Sequence, residues 1–468
     1  MEEMEIMEMD YEAIVEKRTD ELTELLDSRN MKQLQRRMEE LNEFDVAEFL
    51  TDIEDNRMPM VFRLLSKETA AEVFANLEAP EQERIINSIT DSELAGIIEE
   101  LYVDDAVDLM EELPANVVKR VMRTATPETR NLINQYLRYP ENSAGTIMTS
   151  EFVDLKKYMS VKESFARIRR IGEDKETIYV CFVTAADRKL EGIVTVKDLL
   201  LADDDDIIED LMDRNVIFTS TTEDQELVSE KFSDYDLVVM PVVDKEGRLV
   251  GIVTVDDVID VMEQEATEDF EIMAGMTPSD KPYSRTSTFE LWKHRIPWLM
   301  FLMLSATFTS MILTSFEDML AVQAGLVAFI PMLMGTGGNS GGQASTSVIR
   351  SLSIGDTETS DVLRVMFKEL RVSLLCGLSL AAVNFVKMLL VDGMLLNNDA
   401  VTMAVAATVS LSILFIVMFA KVVGCTLPMA AEKLGLDPAV MANPLISTVT
   451  DAVSLIIYIY VAKLILKI

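Results

Sequence analysis

Three cysteines, one histidine and two tryptophans are spread over 468 residues. Cys181, Cys376 and Cys425 lie far apart, two of them in apolar segments, which argues against a disulfide framework. With His294 the lone histidine, a zinc, copper or haem centre built on His and Cys is argued against as well. Bases are scarce too. The chain sets 42 Lys and Arg against 80 Asp and Glu, a net charge of −38. Such a chain repels phosphate instead of gaining from counterion release, so no nucleic-acid partner is expected, nor docking on anionic lipid. Metal cations are the natural complement. There is no nucleophile–His pair and no phosphate-cradling Gly-Lys-Ser/Thr loop, so no enzyme is expected. The first ten residues, Met1 to Asp10, have neither the basic nor the apolar region of a secretory signal, which leaves the first half in the cytosol.

The charge that is present is confined. Residues 1–290 hold 69 acids and 31 bases, whereas 291–468 hold 11 of each and are otherwise apolar. An acidic soluble half and a membrane half are therefore expected. Five spans are read at Trp298–Leu313, Val322–Met334 continuing into a glycine-rich stretch, Val372–Val391, Val401–Val423 and Met441–Leu466. Lys293 and Arg295 precede the first span, and Arg350, Arg364, Lys368 and Arg371 separate the second from the third. The loops with Glu317 and Asp318, and with Asp392 and Asp399, carry no base, so the N-terminus is placed in the cytosol and the C-terminus outside. Asp451 is the one carboxylate read as lying well inside a span. Such a group costs at least ~2.5–3.5 kcal/mol in hydrocarbon and normally faces a cavity, a partner or a permeating ion.

Residues 11–140 show apolar positions at i, i+3 and i+4 in loosely repeating acidic segments, which predicts a small all-α superhelix. A sharper repeat follows. Leu190-Glu-Gly-Ile-Val-Thr-Val-Lys-Asp-Leu-Leu returns 59 residues later as Leu249-Val-Gly-Ile-Val-Thr-Val-Asp-Asp-Val-Ile, each copy preceded by a strand-like run. This layout resembles a pair of cystathionine-β-synthase (CBS) domains, α/β units expected at 141–203 and 204–262. Such pairs often bind adenine nucleotides, which makes Thr195, Asp198, Thr254 and Asp257 candidates for ATP. The same Gly, Thr and Asp also serve a turn and a helix cap, and that reading stays open.

From Asp256 to Glu271 there are eight acids in sixteen residues and no base. Pairs at i,i+3 and i,i+4 repel within a helix, so something must offset them, and clustered carboxylates without thiolate or imidazole select hard cations such as Mg²⁺, Ca²⁺ or Mn²⁺. A hydrated surface helix is the other reading. In the membrane half, Pro331-Met-Leu-Met-Gly-Thr-Gly-Gly-Asn-Ser-Gly-Gly-Gln343 predicts unwound backbone whose carbonyls, with the Asn339 amide, could face an ion; close packing through small residues is the alternative. Asn443 and Asp451 are eight residues apart on the last span, roughly 12 Å and on about one face.

Taken in order, the Gly-Thr-Gly-Gly-Asn motif at 335–339, Asp437-Pro-Ala, Asn443-Pro-Leu and Thr450-Asp, the CBS pair ending in an acidic helix, and the acidic helical domain resemble the MgtE type of magnesium channel. The resemblance implies a homodimer in the lipid bilayer of the cell membrane, with the second and fifth spans lining the pore of a five-span domain at 291–468. It implies that Asp451 binds hydrated Mg²⁺ with Asn339 and Asn443 nearby. It further implies that Asp256–Glu271, within a plug and connecting helix at 256–290, closes the pore when Mg²⁺ is high. Asp104, Asp108, Glu226, Asp236, Asp257, Asp260, Glu265, Glu268, Asp269 and Asp437 would hold the regulatory Mg²⁺. The competing classes are a secondary transporter coupled to H⁺ or Na⁺, and a membrane-anchored CBS sensor.

Overall fold

The computed structural model describes residues 17–279, 283, 286–317, 324–395 and 401–467, with only the backbone of Glu112 and Asn443. The chain divides into two compact units, Met1–Val261 and Met262–Ile468.

In the first unit, short helices run from Met31–Met38 to Pro127–Tyr136. Their starts are set by side-chain caps. Asn42 accepts from the Phe44 amide, Ser66 from Thr69 and Thr126 from Thr129, and Thr90 and Glu93 form a reciprocal capping box. Successive helices stack on the next but one: Glu43–Asp52 on Lys67–Ala75, that helix on Asp91–Glu100, and Asp91–Glu100 on Ala115–Thr124. The helices make the expected all-α domain, of which residues 11–16 lie outside the described residues. The periodic apolar positions become its core, Val46, Phe49, Leu50, Val73 and Phe74 among them. Each such burial contributes about 1.5–3 kcal/mol.

Two three-stranded sheets follow, β1 (Asp154–Leu155), β2 (Val180–Thr184) and β3 (Leu190–Thr195), then β4 (Thr219–Ser220), β5 (Val239–Val243) and β6 (Leu249–Thr254). In each, the first strand is parallel to the second and the second antiparallel to the third, with a bulge near the same place. The registers Val180 to Thr195 and Val239 to Thr254 are copies. The copies are seated differently. The first sheet has a core of its own around Leu155, Cys181, Val183 and Val194. Met240, Val242 and Val253 of the second belong to the same apolar cluster as the N-terminal helices, while its Val239, Leu249 and Ile252 pack on Phe182 of the first.

Gly251 allows the chain at Thr149 to bridge Ile252, since a Cβ there would lie 2.8 Å from the Thr149 carbonyl. Gly192 stands in the same relation to Asp213, at 2.7 Å. Gly251→Val should therefore destabilise the second sheet by about 1–3 kcal/mol, as overpacking does. Calorimetry of the purified protein should show a lowered first transition, and an unchanged thermogram would count against this account.

The second unit begins within α1 (Val255–Met273), continues with α2 (Thr288–Ser315), α3 (Ile330–Ser353), α4 (Val362–Lys387), α5 (Met403–Lys433) and α6 (Asn443–Leu466). The acidic helix stops at Met273 and does not run on to 290. Gly275 at φ +72° ends it, close enough to Trp298 that any Cβ would clash at 2.2 Å. Four stretches among the described residues are long and apolar enough to cross a membrane: Thr288–Ser315, Thr359–Leu395, Met403–Lys433 and Pro438–Leu466. The central one, α5, packs on α3, α4 and α6.

The expected span at Val322–Met334 departs most from expectation. Residues 318–323 lie outside the described residues, Ala324–Phe329 is a 3-10 turn, and α3 carries the glycines in its interior without a break. Unwound backbone over 335–342 is thus incorrect. The carbonyls there are spent on the helix. What the glycines provide is approach: a Cβ on Gly337 would meet Ile416 at 2.9 Å, one on Gly341 would meet Ile446 at 2.6 Å, and one on Gly424 would reach the Gly341 carbonyl at 2.2 Å. Tertiary packing outweighs the roughly 1 kcal/mol per glycine of lost helix propensity.

Candidate functional site

Asn443 opens α6 and Asp451 follows two turns later, half-buried. The side chain of Asn443 lies outside the described residues. Asn339 lies on an exposed face of α3 with Gln343, while Gly337, Gly338 and Gly341 are buried. The two helices meet where a Cβ on Gly338 would lie 3.0 Å from Ser447 Oγ. Ser447 is one turn before Asp451, and Gly338 is next to Asn339, so the α3–α6 contact joins the two motifs that the sequence singled out. Among the described residues no three Asp, Glu, His or Cys side chains are grouped closely enough to hold a metal ion together.

Carboxylates do crowd one another in the first unit. Asp104, at the start of the helix Val103–Glu112, has a buried oxygen without a hydrogen-bond partner, and burial first, then Asp105, Asp257 and Glu176, holds its carboxyl well above the usual range. Asp105 is pushed up to about 6 by burial and by Asp257 and Asp256. Burial raises Asp257 to about 6 against the opposing bond from Thr254. Glu176 is pushed up to about 7 by burial and then by Asp257, Asp256 and Asp105. Asp104 and Asp257 were expected at the site, while Asp105, Asp256 and Glu176 join them unannounced. Asp105 sits beside a named residue and Asp256 inside the acidic run, but Glu176 follows a 3-10 turn and reaches the cluster only through the fold.

The second unit brings together another expected pair. Asp269 is raised to about 6, by burial first and then by Asp437 and Glu265, with Arg350 acting the other way. Ile272 and Met273 of α1 pack on Ile349, Ala439 and Ala442, which fixes that approach. Asp437 accepts from the Ala439 amide at 2.7 Å, and Ser345 Oγ donates to the Met441 carbonyl at 3.1 Å. Asp260, Glu265 and Glu268 also lie on α1, and Asp108 is an exposed residue one turn after Asp104. Glu226 and Asp236 are not brought together. They stand at opposite ends of the helix Gln225–Tyr235, roughly 15 Å apart, with Asp236 in the left-handed conformation at φ +50°.

In the two CBS-like copies, the motif residues close on themselves. Thr195 and Asp198 form a reciprocal cap, and Thr254 Oγ1 donates to Asp257 at 2.6 Å. The first copy thus shows the cap, and the second the matching Thr–Asp bond.

An acidic helical domain, a pair of CBS-type sheets and a bundle of membrane-length helices define a multi-pass membrane protein. Family profiles match in the same order: the MgtE intracellular N domain over 41–142, the CBS domain over 144–205 and 208–264, and MgtE, a divalent cation transporter, over 330–461. The chain is 38% identical over 450 residues to the magnesium transporter MgtE of Thermus thermophilus, covering 95% of this chain and 98% of that one. It is 29% identical to the Bacillus subtilis protein of the same name, covering 91% and 92%. Its fold is similar to the soluble part of a magnesium transporter (TM-score 0.52, 29% identity, 54% of this chain and 99% of that one). It is likewise similar to the cytosolic domain of the Mg²⁺ channel MgtE in complex with ATP (TM-score 0.50, 36% identity, 52% and 99%). The chain belongs to the MgtE family.

The raised carboxyls fix a sign. Asp105, Asp257 and Glu176 hold protons in the folded state at pH values where the unfolded chain has released them, so their contribution falls as pH rises from about 4 to 7. In chelator, the melting temperature of the protein should drop across that window, and millimolar Mg²⁺ should flatten the drop. A melting temperature that rises with pH in chelator would contradict the crowding.

Proposed function

We propose that this protein is a Mg²⁺-selective channel that admits Mg²⁺ across the cell membrane and is closed by Mg²⁺ bound among its cytosolic acids. One observation carries the pore: the polar face of α3 with Asn339, joined at Gly338 and Ser447 to the helix that carries Asp451. An exposed amide face within a bilayer must be covered, and a second copy of the chain covers it with the same face, giving a homodimer with α3 and α6 at its centre. In this reading α3 is a span too, the second of five in chain order, its apolar deficit explained because it faces the ion and its partner instead of lipid. The N-terminus lies in the cytosol and the C-terminus outside. Mg²⁺ dehydrates reluctantly, so Asp451 holds it through its waters, with Asn339 and Asn443 as further oxygen ligands to those waters. The activity is transport, without a chemical step.

Closure follows from electrostatics. Asp104, Asp105, Glu176 and Asp257 repel one another, as do Asp269 and Asp437, and divalent ions remove the repulsion. Cytosolic Mg²⁺ then favours the compact, closed assembly by as much as it binds that state better. Asp108, Glu226, Asp236, Asp260, Glu265 and Glu268 add weaker sites, the Glu226 and Asp236 positions serving separate ions. The response should lie near the millimolar range, on the order of 10⁻³ M. This electrostatic closure needs no nucleotide as a premise. If ATP binds, Thr195, Asp198, Thr254 and Asp257 are the residues to hold it.

Purified Asp451→Asn in proteoliposomes should lose nearly all Mg²⁺ flux while eluting as the wild type does, because the amide keeps the shape and loses the charge. Near wild-type flux would refute the pore. Imposed Na⁺ or pH gradients should not drive the wild-type flux; if they do, the protein is a coupled transporter, and no flux at all would favour a membrane-anchored sensor.

Limited proteolysis of the 274–287 connection and single-channel recording over a Mg²⁺ titration test the gate. Cleavage and open probability should both fall as Mg²⁺ rises, and Asp257→Asn with Asp260→Asn and Glu265→Gln should abolish the dependence. Flat wild-type curves would leave α1 a solvated surface helix.

A further inference from the structure

Among the described residues, and apart from the proposed pore and its acidic flanks, one pair of opposite charges is buried between membrane helices. Glu369 of α4 and Lys421 of α5 approach to 3.7 Å, their side chains 14% and 6% exposed. The spacing exceeds a hydrogen bond but lies within ion-pair range, and Glu369 Oε2 is buried with no hydrogen-bond partner. The other charges on this part of α4, Arg364, Lys368 and Arg371, are exposed. Glu369 alone turns inward. A lone charge at such a place is strongly disfavoured, so each member of the pair depends on the other.

The place on α5 is particular. Ala420, just before Lys421, puts its carbonyl 3.1 Å from where a Cβ on Gly341 would lie, and Gly424 meets the Gly341 carbonyl one turn later. Residues 420–424 are thus where α5 presses most closely on α3, and the same turn directs Lys421 to α4. Cys425 is buried there in a junction of all three helices, with Val348 and Leu352 of α3, Met429 of α5 and Val365 and Met366 of α4. On α3, Gly341 is flanked by Asn339 and Gln343 of the exposed polar face.

We infer that Glu369 and Lys421 are a positioning pair: their attraction clamps α4 to α5 and so seats α5 on the glycine face of α3, holding the Asn339 face in register. The consequence for transport rests on α3 lining the pore, as proposed above. The clamp itself does not.

The test uses the full-length chain with Cys181→Ser and Cys376→Ser, which leaves Cys425 as the one thiol. Glu369→Gln and Lys421→Met should each speed labelling of Cys425 by a small membrane-permeant maleimide at least about tenfold, because the junction opens locally. Each should also cut Mg²⁺ flux in proteoliposomes several-fold. The exchange of Glu369→Lys with Lys421→Glu should restore both protection and flux, which a generally damaged bundle would not do. Should a single variant fail to fold, Glu369→Asp and Lys421→Arg keep the charges and must keep Cys425 protected. Unchanged labelling in the single variants, an exchange variant labelled as fast as they are, or an exposed Cys425 in the charge-keeping variants would overturn the clamp. Absent wild-type flux with this labelling pattern intact would instead refute the pore reading alone.

Discussion

Carboxylates without counter-ions are the constraint on which the soluble part of this protein depends. A chain with almost twice as many acids as bases cannot pair them internally, and the fold does not spread the surplus evenly. It brings Asp104, Asp105, Glu176 and Asp257 within electrostatic reach of one another. Desolvation and like charge act there in the same direction, and both favour the protonated carboxyls.

The membrane half is governed by an opposite economy, that of backbone contact without side chains. Gly337, Gly341 and Gly424 let helices approach until carbonyls and methyls nearly touch, and Ser345 and Tyr458 fasten the ends with bonds to the Met441 and Leu326 carbonyls. Helices so close cannot slide by small steps, because every displacement drives a carbonyl into a neighbour. This gives a rigid framework on which one polar face can be held.

Much of this was legible in the chain. The CBS copies announced themselves because strand alternation, a turn glycine and a helix cap recur together, and the registers of β2–β3 and β5–β6 repeat the spacing of the motif. The amphipathic helices of 17–136 followed from the period of their apolar positions. The run from Gly335 to Gly342 misled because propensity weighs each residue alone, whereas what these glycines do depends on Ile416, Ile446 and Gly424, distant in sequence. Glu176, Glu369 and Lys421 were invisible for the same reason: each is an ordinary charged residue until a particular register between two elements sets a second charge beside it. Asp269 and Asp437 were named through resemblance, and residues 349, 439 and 442 supply the contact that brings them near.

The two sheets are twins in topology and unequal in partnership. The second shares an apolar cluster with the N-terminal helices through Met240, Val242 and Val253, whereas the first has a cluster of its own around Leu155, Cys181 and Val183. Duplication has therefore given one pattern two different sets of neighbours. Opening the second copy costs the helical domain its contacts as well, while the first meets its sibling along a seam where Phe182 packs on Val239, Leu249 and Ile252.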